Sequence, residues 1–167
     1  MNLKRKTVAA ISALALFALV GCFGKSGAKA RKEAYKDVLR EAVLDNDIEE
    51  AQRLIKAGAD VNAKNASGWT LLMMTAERSA LGMTRTLLEG GADVNAKDND
   101  GQSVLMHAAH ENATEVAKLL IAAGADIDEK DNRNRTALMH AGEWNADAVA
   151  QLLVESGADV NARDEDG

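Results

Sequence analysis

The chain contains 167 residues, of which 47% are hydrophobic and 28% are charged, a balance typical of a folded domain. It has no proline, a single cysteine and few aromatic residues, so an internal disulfide framework is excluded and the core must be aliphatic. The formal net charge of −6 argues against nucleic-acid binding, which needs a basic surface.

The first predicted element is an export signal. Basic residues at positions 4–6 precede an apolar run over 8–20, which is shorter than the roughly 20 residues of a membrane-spanning helix. This arrangement is typical of a secretory signal. The run closes with Leu-Val-Gly-Cys at 19–22, which resembles the lipobox of bacterial lipoproteins. The resemblance implies a signal peptide over 1–21 and lipidation at Cys22.

The same resemblance implies a place in the cell. Several acyl chains, such as palmitate, hold a protein on a membrane without a spanning helix. The residue after the cysteine is Phe23 and not Asp. By family analogy this favours the outer membrane over the inner membrane. The domain would then lie in the periplasm of a bacterial cell envelope. Residues 22–32 predict a flexible tether. Removing residues 1–21 takes away three positive charges, so the mature charge is −6 − 3, or about −9.

The remainder of the chain repeats every 33 residues. A glycine followed by Ala, Asp and an apolar residue recurs at positions 58, 91, 124 and 157. A second anchor lies further on, where a hydroxyl residue opens an apolar segment. Its copies are Thr70-Leu71-Leu72-Met73, Ser103-Val104-Leu105-Met106 and Thr136-Ala137-Leu138-Met139. These copies resemble the ankyrin repeat, and the resemblance implies an all-α solenoid of stacked helix-turn-helix units joined by β-turns or hairpins.

The repeat period divides residues 33–167 into units. The prediction is a capping repeat at about 33–63 with Asp37 at the first N-cap, repeats at about 64–96, 97–129 and 130–162, and the start of a further repeat at 163–167. Because the chain stops inside a turn, we interpret it as a fragment, with a naturally short protein that has a frayed end as the alternative. In either case we expect the end of the stack to be partly uncovered. The side chains concerned are Leu138, Leu152 and Leu153.

Local signals place the ends of the helices. The hydroxyl residues at 70, 103 and 136 are predicted N-caps, and the four repeated glycines are predicted to follow the ends of the second helices. Ser79, Asn112 and Asn145 are predicted turn residues between the two helices, where Asn tolerates left-handed backbone. Helices of about eight to ten residues are not stable alone, so stacking must stabilise them.

Several residues invite a chemical role. His107, His110 and His140 fall on one predicted face and leave a histidine metal site open as an alternative, although no cysteine supports it. The recurring aspartates, such as Asp93, are better explained by bonds to the turn backbone than by calcium. Phosphate loops and nucleophile motifs are missing from the sequence, so we expect no enzyme and no cofactor.

The remaining candidate is a binding surface. Positions that differ between copies lie in the turns and at the end of each first helix, and in the ankyrin family these line the concave face. They are Trp69, Glu77, Arg78, Asn99, Asp100, Gln102, His110, Glu111, Asn132, Arg133, Arg135, Glu143 and Trp144. Trp and Arg are favoured interface anchors. The alternatives are that Trp69 packs against the next turn and that Trp144 shields the open end of the stack.

The sequence therefore predicts a lipid-anchored protein that binds a protein partner, favouring one with a basic patch because the mature chain is acidic. We expect neither nucleic acid nor a small-molecule substrate. Two roles remain open within this class: a scaffold for envelope proteins, and an immunity-type lipoprotein that masks a toxic effector enzyme.

Overall fold

The structure is a computed structural model that describes residues 26–167, with side chains described from residue 35 onward. The predicted signal peptide, Cys22 and the start of the predicted tether lie outside the described residues. Over the described range the backbone forms eight helices and no strands, which confirms the prediction of an all-α fold. None of these helices is both long enough and apolar enough to cross a membrane. The chain divides into two compact units at residues 60 and 61.

The described part of the first unit is a helical hairpin of α1 (Ser26–Leu44) and α2 (Ile48–Lys56). Asn46 turns the chain with a left-handed backbone (φ 55°), and Asp47 caps α2 by accepting the Glu50 N–H at 3.1 Å. The apolar faces of the two helices meet around buried Leu39 and Leu54. This unit therefore has a small core of its own.

Helix α1 corrects two predictions. It begins at Ser26, so residues 26–32 are helical where a flexible tether was expected. Asp37 lies inside the helix, so its predicted N-cap role is wrong. The physical reason is composition: the segment from 28 to 37 is rich in Ala, Lys, Arg and Glu, which are strong helix formers, and only Gly27 opposes them.

The second unit contains three helix pairs, and each pair consists of a seven-residue helix followed by a nine-residue helix. They are α3 (Leu71–Glu77) with α4 (Leu81–Glu89), α5 (Val104–His110) with α6 (Thr114–Ala122), and α7 (Ala137–Glu143) with α8 (Asp147–Glu155). We call α3, α5 and α7 the inner helices and α4, α6 and α8 the outer helices. Each inner helix packs on the next inner helix, and each outer helix on the next outer helix. Each pair lies inside one predicted repeat.

Side-chain caps begin the inner helices as predicted. The hydroxyl oxygens of Thr70, Ser103 and Thr136 accept the N–H of the residue three positions later. In the first two helices that residue is a methionine whose sulfur accepts the N–H of the cap in return, at 3.4 Å for Met73 and 3.3 Å for Met106. Buried methionine thus completes a reciprocal cap that usually needs Glu or Gln.

The predicted turn residues are also confirmed. Ser79, Asn112 and Asn145 have left-handed backbones with φ between 51° and 53°. The repeated glycines follow the ends of α2, α4, α6 and α8 with φ between 86° and 95°. At Gly91, for example, the glycine N–H donates to the Leu88 carbonyl and the next N–H donates to the Leu87 carbonyl. This pair of bonds satisfies carbonyl groups that the helix end leaves open.

The end of the second unit is covered more than the sequence suggested. Leu138 and Leu152 are half-buried, as expected, but Leu153 is 0% exposed. Leu153 occupies the same position of the repeat, or column, as Leu87 and Leu120, and this column is fully buried in every helix pair. The column faces the interior of its own helix pair, so its burial does not depend on a following repeat.

Polar side chains connect successive repeats of the second unit. Asn62 donates to the Gly91 carbonyl at 3.1 Å and accepts the Asp93 N–H at 2.8 Å. Asn95 repeats both bonds with Gly124 and Asp126. Asp93, Asp126 and Asp159 each accept the N–H two residues further on, as predicted for turn aspartates. These bonds fix the register between neighbouring repeats.

Candidate functional site

The turn before each inner helix is organised by one side-chain oxygen. Asn65 Oδ1 accepts the N–H groups of Ser67 and Trp69 at 2.9 and 3.0 Å. Asp98 Oδ1 accepts those of Asp100 and Gln102 in the next repeat, both at 2.9 Å. Asp131 does the same for the third repeat. The three turns therefore present Trp69, Gln102 and Arg135 at the same position, immediately before the cap of an inner helix.

The tips of the turns are bonded to one another. Asn99 donates its backbone N–H to the Ser67 carbonyl at 3.1 Å and its side-chain amide to the Ala66 carbonyl at 2.9 Å. Asn132 makes the matching bonds to the Asp100 and Asn99 carbonyls. Both asparagines were predicted to bind a partner, and both use their amide groups to join adjacent turns.

Two buried Asp–His pairs lie behind the turns. His107 Nε2 is 3.1 Å from Asp98 Oδ2, and His140 Nε2 is 3.1 Å from Asp131 Oδ2. Because an ionised carboxylate only accepts, each Nε2–H is the donor. These pairs were not predicted from the sequence. The signal that could have found them is the separation of nine residues between Asp and His, which recurs in the two repeats and is absent from the first, where Asn65 precedes Met74.

The electrostatics of these pairs favour neutral histidines. Burial lowers the pKa of both His107 and His140, although the adjacent Asp98 and Asp131 act in the opposite direction. Burial also acts to raise the pKa of Asp131, but hydrogen bonds from the Arg135 and Arg133 N–H groups and from the His140 ring outweigh it and lower that pKa. At neutral pH the third repeat therefore holds a neutral imidazole on a carboxylate.

The inner helices and their turns enclose a groove of about 240 Å³ within the second unit. Its lining residues are Trp69, Glu77, Gln102, His107, His110, Arg135, His140, Glu143 and Trp144. Seven of these were predicted binding residues, and the two added by the structure are the buried histidines. The structure thus brings together side chains that are up to 75 positions apart in the sequence.

Aromatic contacts hold both tryptophans in the groove. The Trp69 ring lies against His107 of the next repeat, with ring centroids 4.5 Å apart and planes inclined by 59°. Trp144 lies against His110 of the preceding repeat at 4.1 Å and 58°. Trp144 remains 53% exposed and contacts the preceding repeat, so it faces the groove as well as the solvent.

Arg135 is held by carboxylates on both sides. Its Nε and Nη2 lie 3.0 and 2.9 Å from Asp131 Oδ2, and its Nη1 lies 3.0 Å from Glu143 Oε2. Only 19% of the Arg135 side chain is exposed. The guanidinium is therefore positioned before any partner arrives.

The remaining predicted binding residues lie outside this groove. Arg133 lines a second depression of about 340 Å³ with Arg135, Glu143 and residues 164–166. Glu111 pairs with His110, its oxygen 2.7 Å from the ring nitrogen. Arg78 and Asp100 are exposed at the end of α3 and at a turn tip.

The geometry does not favour the histidine metal site that the sequence left open. Nε2 of His107 and Nε2 of His140 are each bonded to a separate aspartate. Within residues 35–167, no group of three or more His, Cys, Asp or Glu side chains is placed to hold a metal ion.

Stacked helix pairs with a groove along their inner helices define a class of protein, the helical repeat proteins. The family model described as "Ankyrin repeats (3 copies)" matches residues 39–131 and 83–164. The chain belongs to the ankyrin-repeat family.

Among curated proteins, the chain is similar to the mitochondrial disaggregases of three mammals. It is 45% identical to the human protein over 64 residues, 44% identical to that of Bos taurus over 64 residues and 41% identical to that of Rattus norvegicus over 58 residues. These matches cover 35–38% of this chain and 8–9% of the relatives, so the chain matches less than a tenth of their length.

Proposed function

We propose that this chain is a protein-interaction module that binds a protein partner in the groove of its second unit. The observation that carries the proposal is the groove itself, which contains both tryptophans of the chain and the clamped Arg135. Trp and Arg are enriched among the few residues that carry most of the binding energy of a protein interface. Membership of the ankyrin-repeat family, whose repeats are interaction modules, supports the same conclusion.

The size and rigidity of the groove suit a protein partner. A volume of about 240 Å³ is smaller than the roughly 300–1,000 Å³ of sites for drug-sized ligands. Seven of the nine lining side chains make hydrogen bonds, ion pairs or ring contacts, so they lose little freedom when a partner docks. The acidic net charge favours a partner with a basic patch.

A double substitution tests the groove. We expect Trp69→Ala with Arg135→Ala to reduce capture of the partner from envelope extracts while the helical content stays unchanged, because the variant removes two anchors and no helix. The matched control is Arg85→Ala with Lys118→Ala, which changes two exposed residues of the outer helices α4 and α6. Undiminished capture by the groove variant would place the interface elsewhere.

We also propose that Cys22 anchors the domain to a membrane of the bacterial cell envelope. The support is the sequence pattern over residues 1–22, in which basic, apolar and cysteine-containing segments follow in order. We expect Cys22→Ser to move the protein from the membrane fraction to the soluble fraction. Retention of the variant in membranes would contradict the proposal. A scaffold role and an immunity role differ only in the partner, so identifying the captured protein separates them.

The proposal includes no catalytic activity for this chain. An Asp–His pair can activate a nucleophile, but none of the residues lining the groove is a serine, threonine or cysteine. The activity named for the mammalian relatives belongs to proteins of which this chain matches less than a tenth.

A further inference from the structure

The first and third repeats of the second unit have a glutamate at the same position, but its side-chain contacts differ between the two repeats. Glu77 and Glu143 are the last residues of α3 and α7 and are 66 residues apart, so they occupy one column. Glu143 binds a guanidinium because Arg135 lies eight residues before it. Eight residues before Glu77 the chain has Trp69 instead. The Glu77 side chain makes no hydrogen bond or ion pair with the residues that the structure describes.

The charged groups that line the groove or lie behind its histidines are mostly acidic. Glu77 and Glu143 line the groove, and Asp98 and Asp131 lie behind its two buried histidines. Arg135 supplies one positive charge, so these five groups sum to −4 + 1, or −3. Because Arg135 is held between Asp131 and Glu143, its charge is balanced locally. These five groups therefore give the groove a negative charge that favours an incoming cation.

The Trp69 ring forms an aromatic wall of the same groove. The ring is half-buried and lies against His107, so it keeps one orientation and part of it faces the groove. A guanidinium stacks on aromatic rings, binds carboxylates through two parallel hydrogen bonds and is more weakly hydrated than an ammonium group. These properties together select arginine over lysine.

We propose that the groove binds an arginine side chain of a basic partner segment, with the guanidinium stacked on Trp69 and hydrogen-bonded to Glu77. The incoming arginine takes the place that Arg135 fills two repeats later. This inference rests on the proposed function, because it names the partner chemistry of the same groove.

Tryptophan fluorescence tests the inference directly. The chain has two tryptophans, so Trp144→Phe leaves Trp69 as the only reporter. This full-length variant is titrated with the blocked peptide acetyl-Gly-Arg-Gly-amide, and with the same peptide carrying citrulline or lysine in place of arginine. We expect a saturable change in emission with the arginine peptide, a weaker response to lysine and none to citrulline. An equal response to citrulline, no response to any peptide, or a stronger response to lysine would overturn the assignment.

A matched pair of charge variants separates a local contact from the general field. Glu77→Gln with Glu143→Gln is expected to weaken binding of the arginine peptide by about tenfold, because charge-assisted hydrogen bonds are lost. Glu89→Gln with Glu155→Gln makes the same change in net charge at the ends of the outer helices α4 and α8, also 66 residues apart, and should leave binding unchanged. Equal weakening by both pairs would contradict the inference. Because Glu77 is exposed, Glu77→Gln alone provides the test if the double variant unfolds.

The failure of this inference is distinguishable from the failure of the proposed function. If Trp69→Ala with Arg135→Ala abolishes partner capture while the arginine peptide does not bind, the groove is an interface and the arginine assignment is wrong. If the peptide binds but partner capture is unaffected, the arginine site stands and the interface with that partner lies elsewhere.

Discussion

The repeat at 64–96 and its two successors have the same backbone but different chemistry behind the groove. In the first, the amide oxygen of Asn65 organises the turn. Met74 occupies the position on the inner helix where the other two repeats have a histidine. In the other two, a carboxylate organises the turn and binds a buried histidine. A neutral amide is therefore sufficient to form the turn. The Asp–His pairs add a connection between turn and helix, and they add sensitivity to pH.

The largest expected effect comes from removing the carboxylate of one pair. Asp98→Ala leaves the Asp100 and Gln102 N–H groups and the His107 ring without their acceptor, in a largely buried place. Since each unsatisfied buried donor costs about 1–3 kcal/mol, we expect the free energy of unfolding to fall by about 2–4 kcal/mol. Urea denaturation measures the loss.

Two variants sharpen this comparison. Asn65→Ala removes two bonds at an exposed position, so the expected loss is only about 1 kcal/mol. Asp98→Asn with His107→Met copies the first repeat into the second and should lie within about 1 kcal/mol of the original chain. If Asn65→Ala and Asp98→Ala cost the same, the histidine contact contributes nothing to stability.

A smaller effect is expected from pH. The pKa values of His107 and His140 are lowered by burial, so the folded state binds fewer protons than the unfolded chain as pH falls through about 6.5. The contribution of the two neutral histidines to the free energy of unfolding is therefore fully present above that pH and decreases below it. The pKa of Asp131 is also lowered, and its contribution is lost only below about 3.9, outside the histidine range.

Thermal unfolding as a function of pH checks this expectation. The control replaces both pairs with the Asn and Met of the first repeat: Asp98→Asn, His107→Met, Asp131→Asn and His140→Met. The melting temperature of this variant should change less between neutral pH and pH 5 than that of the original chain. Identical profiles for the two proteins would show that the buried histidines do not carry the pH dependence.

The smallest effect concerns the bonds between repeats. Asn62 and Asn95 each donate to a glycine carbonyl of the next repeat, whereas Asp128 in the same column only accepts the Asp159 N–H. Asp128→Asn supplies the missing donor toward the Gly157 carbonyl, so we expect a gain of about 0.5–1.5 kcal/mol in the free energy of unfolding. Asn95→Asp is the reverse change and should lose a similar amount. A loss of stability in Asp128→Asn would contradict this explanation.

The fold was largely predictable because its signals are local and repeated. Hydroxyl caps such as Thr70 and left-handed turn residues such as Asn112 act within one turn of the chain, so their position in the repeat identifies them. The start of α1 was missed because its first residues, Ser26 and Gly27, are typical of a tether. Helix propensity further along the segment decided the outcome.

The site was predictable in part for a related reason. Comparing copies identified the variable positions, and Trp69, Arg135 and Trp144 do line the groove. The same comparison selected Asn99 and Asn132, whose amides join neighbouring turns. A variable position does not reveal whether its side chain faces a partner or the next repeat. Only the three-dimensional register of the turns distinguishes the two cases.

The bonds between successive turns have a consequence for how such a chain can change in length. Asn132 bonds to the turn of the repeat before it as Asn99 does, and Lys97 donates to the Lys130 carbonyl as Lys64 donates to that of Lys97. A tandem duplication of the gene segment encoding residues 97–129 would therefore supply matching donors and acceptors on both sides of the new copy. The groove can therefore be lengthened or shortened by whole repeats without new contacts having to arise at each junction.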